Sequence, residues 1–469
     1  MSIISKGIVP QKKTMTSSSL LFFLSIISLL FPFISSSNSP ITIPLSFLNT
    51  NPNQDFYQKL THLASSSLAR AHHIKSSQNS SISNIPLFPH SYGGYSITLP
   101  FGTPPQNMPF IMDTGSSFVW FPCTKKYQCS KCPISSQKNP TFIPRLSSSA
   151  RVLGCMNPKC SFVHPKADLK SLCHDCEMRN TTNCGQVCPP YIILYGAGST
   201  GGISLVETLN LPNKKIPDFL VGCSLFSSQQ PAGIAGFGRG LSSLPSQLGA
   251  KKLSYCLVSH RFDDIPNKSS MLVLDTAYEK SKNLSYTPLL KNPVVVGRNA
   301  LSEFYYVGLR KITVGGQKVK VPYQYLTPNS KGNGGTIVDS GTTFTFMNHG
   351  VFEPVMDAFV KQVKGISRAE NIERLTGLRP CFNVSGHKTV SLPEMKFHFK
   401  GGSEMALPLA NYFSIVGENN VICLTMVSDS RLELPTGPSI ILGNYQMQNF
   451  FVEFDLKNDK FGFRNQVCK

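Results

Sequence analysis

Two stretches of the chain follow one pattern and together decide the fold. Residues 111–121 read IMDTGSSFVWF and residues 337–347 read IVDSGTTFTFM, and their aspartates are 226 residues apart. Each stretch is followed at a distance by an apolar segment with glycine, GIAGFG at 233–238 and IILGNY at 440–445. An Asp-Thr-Gly alone is a common turn, but two extended copies, each after an apolar run, predict a duplicated lobe.

An aspartate in this setting can carry out acid–base chemistry. An apolar strand brings Asp113 into the interior, glycine lets the backbone turn sharply there, and nearby hydroxyls can hold the carboxylate in one orientation. If Asp339 meets Asp113 face to face, both cannot easily ionise, and the pair shares one proton. The ionised member can take a proton from water while the protonated member donates to a carbonyl oxygen, which is general acid–base hydrolysis of an amide.

With these motifs the chain resembles the pepsin-like aspartic proteases, and most closely their plant nepenthesin-like branch; aspartic proteases are the standard example of two carboxylates that share a proton. The resemblance covers about residues 90–469. It rests on DTGSSFVW at 113–120, YGAGSTGG at 195–202, PAGIAGFGRG at 231–240, DSGTTFTF at 339–346 and ILGNYQMQNFFVEFD at 441–455. It implies an all-β fold, mostly strands with a few short helices, whose two pseudo-twofold related lobes enclose a cleft.

The resemblance also implies roles for single residues, with Asp113 and Asp339 as the catalytic pair. The implied supporting residues are the inner hydroxyls Thr114 and Ser340, the glycines Gly115 and Gly341, the outer hydroxyls Ser116 and Thr342, and the flap residues Tyr195 and Gly196 with Trp120 as the hydrogen-bond partner of the tyrosine. The second loop reads Asp-Ser-Gly where many relatives read Asp-Thr-Gly, and serine keeps the hydroxyl. The glycines after Tyr195 formally match a nucleotide-binding pattern, but a strand-like segment follows where a helix is required, so we predict a flap hairpin.

The chain has 14 cysteines, an even number, which predicts disulfides in a secreted protein. Two C-x-x-C pairs resemble zinc half-sites, but forty residues separate them, against about 15–20 in a zinc ribbon, so we expect no metal. The resemblance implies the pairs Cys256–Cys468 and Cys381–Cys423. In the N-terminal lobe we expect Cys123–Cys129, Cys132–Cys223, Cys155–Cys188, Cys160–Cys184 and Cys173–Cys176, although spacing alone leaves the connectivity open.

The N-terminal residues predict a secreted protein made as a precursor. Basic residues precede an apolar run at 20–33 and small residues follow it, which is typical of a signal peptide over 1–37; an uncleaved anchor is the alternative. We expect a propeptide or leader over 38–85, an N-terminal catalytic lobe over 86–255 and a C-terminal lobe over 256–469. Sequons for N-glycosylation lie at Asn79, Asn180, Asn267, Asn283 and Asn383.

Composition limits the partners. The chain has 41% hydrophobic and 15% charged residues, which excludes intrinsic disorder, and a net charge of +20 that remains strongly positive without residues 1–85. We find no nucleic-acid motif, no His-Glu-x-x-His and no Gly-x-Ser-x-Gly.

We therefore expect a monomeric endopeptidase, active on polypeptides at acidic pH without a cofactor. Anionic cell-wall polysaccharide is the expected counter-surface, in the wall or apoplast, with the vacuole as the alternative. The alternative function is a catalytically weak or inactive binding or inhibitor protein.

Overall fold

The computed structural model describes residues 40–47, 56–76, 93–132, 140–178, 184–195, 198–230, 232–259, 270–276, 278–387, 389–416, 420–429 and 436–468. The predicted signal peptide lies outside the described residues. So do Gly196 and the sequons at Asn79, Asn180 and Asn267. No helix among the described residues is long and apolar enough to cross a bilayer.

Strands predominate in the described residues, which confirms the predicted all-β class. The strands are β1 (Ile41–Phe47), β2 (Tyr95–Phe101), β3 (Gln106–Asp113), β4 (Trp120–Pro122), β5 (Gln128–Ser130), β6 (Arg151–Val152), β7 (Tyr191–Tyr195), β8 (Gly198–Leu211), β9 (Lys214–Ser228), β10 (Gly233–Gly236), β11 (Lys252–Cys256), β12 (Ser270–Leu274), β13 (Ser285–Pro288), β14 (Tyr305–Val307), β15 (Leu309–Val314), β16 (Gln317–Lys318), β17 (Thr336–Val338), β18 (Thr345–Met347), β19 (Cys381–Asn383), β20 (Met395–Phe399), β21 (Glu404–Ala406), β22 (Phe413–Val416), β23 (Val421–Leu424), β24 (Met426–Val427), β25 (Ile440–Leu442), β26 (Phe450–Asp455) and β27 (Lys460–Asn465).

The helices are fewer and mostly short. They are α1 (Phe56–Ser76), α2 (Lys166–Leu172), α3 (His174–Met178), α4 (Leu244–Leu248), α5 (Tyr278–Ser281), α6 (Tyr323–Leu326), α7 (His349–Gln362) and α8 (Glu370–Thr376). The sequence predicts helices over 351–363 and 241–248, and the structure has α7 and α4 there. Helix α4 begins later than predicted because Ser243 caps it, its hydroxyl accepting the N–H of Ser246.

The strands form one large sheet and three smaller ones. The described strands of the 15-stranded sheet run in the order β13-β27-β26-β11-β12-β1-β2-β3-β10-β4-β9-β8-β6, with β5 beside β9 and β7 beside β8. The smaller sheets have the orders β14-β17-β25-β18-β24, β16-β15-β20-β21 and β19-β23-β22. The main core, which includes Phe101, Tyr255 and Phe454, extends through both halves of the chain.

The predicted duplication is visible in how the two aspartates are held. Strand β3 ends at Asp113 and pairs in parallel with β10, where Gly236 is the partner of Asp113. Strand β17 likewise pairs in parallel with β25, and the N–H of Asp339, which follows β17, donates to the carbonyl of Leu442 at 3.0 Å. In both halves the apolar segment with glycine therefore lies beside the strand that carries the aspartate.

The predicted leader is built into this fold where it is described. Strand β1 lies between β12 and β2, with Ile43 opposite Leu272 and Phe47 opposite Tyr95. Helix α1 buries one face, whose members recur every three or four residues as a helix requires: Leu60, Leu63, Ser67, Ala71 and Ile74. The leader thus contributes both a strand of the main sheet and a packed helix.

The disulfides of the C-terminal half are as expected, and those of the N-terminal lobe are not. Cys256–Cys468 and Cys381–Cys423 are confirmed. The expected pairs Cys123–Cys129, Cys132–Cys223, Cys155–Cys188, Cys160–Cys184 and Cys173–Cys176 are wrong. The structure has Cys123–Cys223, Cys129–Cys132, Cys155–Cys173, Cys160–Cys188 and Cys176–Cys184.

Tertiary pairing explains these differences. Strand β4 runs parallel to β9, so that the Cα atoms of Cys123 and Cys223 lie 5.0 Å apart although 100 residues separate them. Helices α2 and α3 fold the insertion back, and Cys173 comes within 5.9 Å of Cys155 between Cα atoms. The cysteines of both C-x-x-C pairs are all consumed by disulfides.

Candidate active site

Each aspartate is held by its own loop through the same two donors. The N–H of Gly115 donates to Oδ1 of Asp113 at 2.9 Å, and the Ser116 hydroxyl donates to Oδ2 at 2.5 Å. In the second loop, the equivalent bonds to Asp339 come from Gly341 N–H at 2.8 Å and the Thr342 hydroxyl at 2.7 Å. Both carboxylates are buried, so these bonds fix their orientation and are stronger than they would be in bulk water.

The inner hydroxyls tie the two loops together beneath the aspartates. The Thr114 hydroxyl accepts the N–H of Ser340 at 2.9 Å, and the Ser340 hydroxyl accepts the N–H of Thr114 at 3.0 Å. Each hydroxyl then donates to a backbone carbonyl of the opposite half, that of Val338 at 3.2 Å and that of Met112 at 3.0 Å. The serine of the second loop makes the same bonds as the threonine of the first.

The loop glycines allow the two carboxylates to approach each other. A Cβ on Gly115 would lie 2.5 Å from Oδ1 of Asp339, and a Cβ on Gly341 would lie 2.4 Å from Oδ1 of Asp113. Such distances do not occur between real side chains, so any larger residue would displace the opposite carboxylate. Each glycine therefore gives room to the aspartate of the other half.

Sequence reasoning missed Arg70, which bridges the two aspartates. Its Nη2 lies 2.7 and 2.9 Å from the two carboxylate oxygens of Asp113, and its Nε lies 3.1 Å from Oδ2 of Asp339. Helix α1 brings this guanidinium onto the site, and the side chain is buried. The sequence feature that could have pointed to Arg70 is the basic stretch RAHHIK at 70–75. This stretch does not indicate which residues its side chains contact in the fold.

The site separates the acidities of its two carboxyl groups. Burial raises the pKa of Asp113, and Asp339 raises it further, although Arg70 acts in the opposite direction. Burial also opposes ionisation of Asp339, but Arg70, Thr342 and Gly341 outweigh it and leave the pKa of Asp339 below its usual range. The pair therefore protonates first on Asp113 in this arrangement.

The predicted flap stands beside the aspartates as a β-hairpin. Strands β7 and β8 pair antiparallel, with Tyr195 opposite Gly198. The indole Nε1 of Trp120 donates to the hydroxyl of Tyr195 at 2.8 Å, the bond expected from the resemblance. Both side chains are buried, and Tyr195 lines two cavities that Arg70 also lines. Apart from Gly196, which lies outside the described residues, the structure places the predicted dyad, supporting and flap residues together at this one site.

Fold and site together define a class of protein: two similar lobes, each contributing one aspartate of a buried pair. The chain belongs to the pepsin-like aspartic protease family. The family models described as xylanase inhibitor N-terminal and xylanase inhibitor C-terminal match residues 95–274 and 304–465.

The curated relatives are plant proteins. A probable aspartyl protease of Arabidopsis thaliana is 32% identical over 80% of this chain and 82% of its own length. The aspartic proteinases nepenthesin-1 and nepenthesin-2 of Nepenthes gracilis are 32% and 33% identical, each over 80% of this chain and 78% of its own length.

Solved structures share the fold at lower identity. The crystal structure of edgp has a TM-score of 0.62 at 19% identity, covering 92% of this chain and 95% of that chain. The crystal structure of basic 7S globulin from soybean has a TM-score of 0.59 at 15% identity, covering 92% and 97%. These similarities show the two-lobed pepsin-like fold.

Proposed function

We propose that this chain is a secreted aspartic endopeptidase that hydrolyses extended polypeptides at acidic pH. The observation that carries the proposal is the symmetric pair of loops, in which Asp113 and Asp339 each receive a glycine N–H and a hydroxyl bond. A purely structural aspartate does not require a second, equivalently held carboxylate facing it. Two such groups provide an acid and a base at one place.

The chemistry requires one proton on the pair. The ionised member of the pair takes a proton from a water molecule as the oxygen of that water attacks the peptide carbonyl carbon. The protonated member of the pair donates its proton to the carbonyl oxygen, giving a neutral tetrahedral intermediate. When the C–N bond breaks, the carboxyl group that took the water proton gives it to the amide nitrogen, which leaves as an amine, and a hydroxyl of the intermediate returns its proton to the other carboxylate, so that the pair again holds one proton. The hairpin at Tyr195 covers this reaction, and substrate main chain supplies most of the binding hydrogen bonds.

We propose that the described form is latent. Arg70 makes its three bonds to the oxygens at which water and carbonyl would react, so substrate and Arg70 exclude each other. Activity then requires displacement or removal of α1, in keeping with a propeptide. N-terminal sequencing of the secreted protein gives the position of this cleavage.

The test compares wild-type protein with Asp113→Asn and Asp339→Asn at acidic pH, using a denatured protein as substrate. The wild type should cleave and each variant should lose nearly all activity, about 10⁴-fold or more, while circular dichroism stays unchanged. Pepstatin should inhibit the wild type. Substantial cleavage by either purified variant would contradict the assigned roles.

The descriptions of the family models favour a second candidate, inhibition of a xylanase by a protein without proteolytic activity. The discriminating measurement adds the protein to a xylanase assay and to the protease assay in parallel. Inhibition of xylanase together with no proteolysis at any acidic pH would replace our proposal with this one.

We further propose an apoplastic or cell-wall location, with the vacuole as alternative, for a monomeric glycoprotein. The seven disulfides of the described residues fit an oxidising compartment. Asn283 and Asn383 are exposed, so both sequons are accessible to glycosylation. The net charge of +20 supports binding to anionic wall polysaccharide.

A further inference from the structure

A cavity beside the aspartates, on the side of Ser116, has one acidic residue in its wall. It encloses about 270 Å³ between the flap, the first aspartate loop and the segment before β14. Its lining includes Ser117, Tyr191, Ile193, Phe304 and Glu303. Among the lining residues Glu303 is the one with a carboxylate, and most of the other lining residues are apolar or aromatic.

The backbone around Glu303 is fixed, so the carboxylate has a defined place. The backbone carbonyl of Glu303 accepts a hydrogen bond from the N–H of Arg239 at 2.8 Å, and the backbone N–H of Glu303 donates to the carbonyl of Ala300 at 3.1 Å. The carboxyl carbon packs against Gly240, where a Cβ would lie 2.9 Å from it. The Ser117 hydroxyl, which accepts the N–H of Gly240 at 3.0 Å, stabilises the ionised form of Glu303.

Glu303 lacks a cationic partner among the described residues. The neighbouring guanidinium of Arg239 is 2.8 Å from Asp459 instead, and none of the ion pairs of the described residues includes Glu303. Burial raises the pKa of Glu303, which shows that its ionised form is poorly solvated where it stands. A bound cation would supply the missing charge.

The leader helix already presents basic side chains to this cavity. Arg70 and His73 both line it, from the face of α1 that covers the aspartates. The remaining imidazole in the wall is that of His164, whose Nε2 lies 2.9 Å from the carbonyl of Pro189. When α1 leaves, two basic side chains leave with it and the carboxylate of Glu303 stays.

We propose that Glu303 makes this cavity a subsite for a cationic side chain, lysine or arginine, of a polypeptide substrate. This inference rests on the proteolytic function proposed above. The apolar and aromatic walls would pack against the methylene groups of the side chain, and Glu303 would accept its ammonium or guanidinium protons.

The experiment uses the full chain after incubation at acidic pH, with displacement of α1 verified by hydrogen exchange. Wild type, Glu303→Gln and the matched control Glu404→Gln, whose residue is exposed, are compared on peptide pairs. In each pair one position near the cleaved bond is lysine or its uncharged N-acetyl form. Because burial raises the pKa of Glu303 above the usual value of a glutamate, about 4.3, kcat/KM for cleavage is measured at several pH values from about 4.5 to about 6.5. Kd is measured for uncleavable reduced-bond analogues of the same peptides.

We expect wild type and Glu404→Gln to prefer lysine over acetyl-lysine by about tenfold at one position, in kcat/KM and in Kd, and Glu303→Gln to lose the preference. A wild-type ratio near one at every position overturns the inference. So does an equal loss on both peptides in Glu303→Gln, because that is the effect of a merely structural role. Absence of any cleavage refutes the proteolytic function instead, while the Kd ratios still decide for or against the subsite.

Discussion

At the scale of single residues, Arg70 determines the state of the site as much as the two aspartates do. Its planar guanidinium can face two carboxylates at once, which the single ammonium of lysine does less well. Burial alone would lower the pKa of Arg70, but Asp113 and Asp339 raise it above its ordinary value. The cation therefore persists at every pH at which the protein is folded, and only changes in the carboxyl groups or in the helix can release it.

Removing this cation should activate the unprocessed chain. In Arg70→Ala, α1 loses its bonds to the aspartates and leaves two buried carboxylates unpaired beneath it, so the helix should be displaced more easily. We expect the initial rate of peptide cleavage by unprocessed protein to rise at least about tenfold. Mass spectrometry verifies that the chain is intact. The control Arg145→Ala changes an exposed arginine and should match wild type. An unchanged rate in Arg70→Ala would contradict the latent state.

The inner hydroxyls should matter for stability. Thr114→Val keeps the shape but removes the acceptor for the N–H of Ser340 and the donor to Val338, and leaves a buried N–H unpaired. We expect the free energy of unfolding to fall by about 2 kcal/mol in chemical denaturation. Thr98→Val, at an exposed strand position, is the control and should change it little. Equal stability of both variants would show that the link between the loops is dispensable.

At the scale of elements, helix α1 combines a stable apolar face with an acid-sensitive end. His73 has its pKa lowered to about 4 by burial and by Arg70, whereas a solvated histidine titrates near 6.5. Between these values a released helix binds a proton that the covered helix does not, so release becomes more favourable as the pH falls from about 6.5 to about 4. Protonation of Asp113 acts in the same direction because it removes the negative charge that attracts the guanidinium of Arg70. Lys75, whose pKa is lowered to about 8, is charged in both states over this range and adds no pH dependence.

This helix release can be followed by hydrogen exchange of the α1 amides as a function of pH. We expect protection to be lost between about pH 6.5 and pH 4 in wild type. In His73→Gln the midpoint should move to lower pH by about half a unit or more, because the side chain can no longer take up the proton. His387→Gln, at an exposed position, is the control. The same midpoint in all three proteins would exclude a role of His73.

The elements also show what the sequence could predict. The repeated Asp-x-Gly loops, the flap and the helix α7 have local signatures in residue type and spacing, and the structure has these elements. The contacts of Arg70 span 43 and 269 residues, and no local pattern indicates which side chains a leader helix will face. The disulfide Cys123–Cys223 likewise depends on the parallel pairing of β4 with β9, which the spacing of cysteines does not contain.

At the scale of the whole molecule, charge is divided between surface and cleft. The chain carries a net charge of +20, yet Glu303 and Asp113 line the two cavities of the cleft, and Asp339 is buried where Arg70 bridges it to Asp113. Asp429, which pairs with His72 of α1, adds a further carboxylate under the helix. If α1 leaves as proposed, taking Arg70 and His73 with it, the cleft becomes acidic. The two proposals are then compatible, because an anionic matrix would bind the outer surface while the site would accept basic peptides.

Binding to an anionic polysaccharide should therefore be electrostatic and independent of the site. We expect the protein to bind polygalacturonate beads at about 0.01 M ionic strength and to elute well before about 0.5 M, because exposed charges are screened over a few ångströms at high salt. Asp339→Asn should elute as wild type does, since its charge is buried. Beads of neutral dextran are the control for non-specific retention. Elution from polygalacturonate by low-salt buffer as readily as by high-salt buffer would contradict charge-based retention in the wall, and would leave the +20 charge to be explained by another anionic partner.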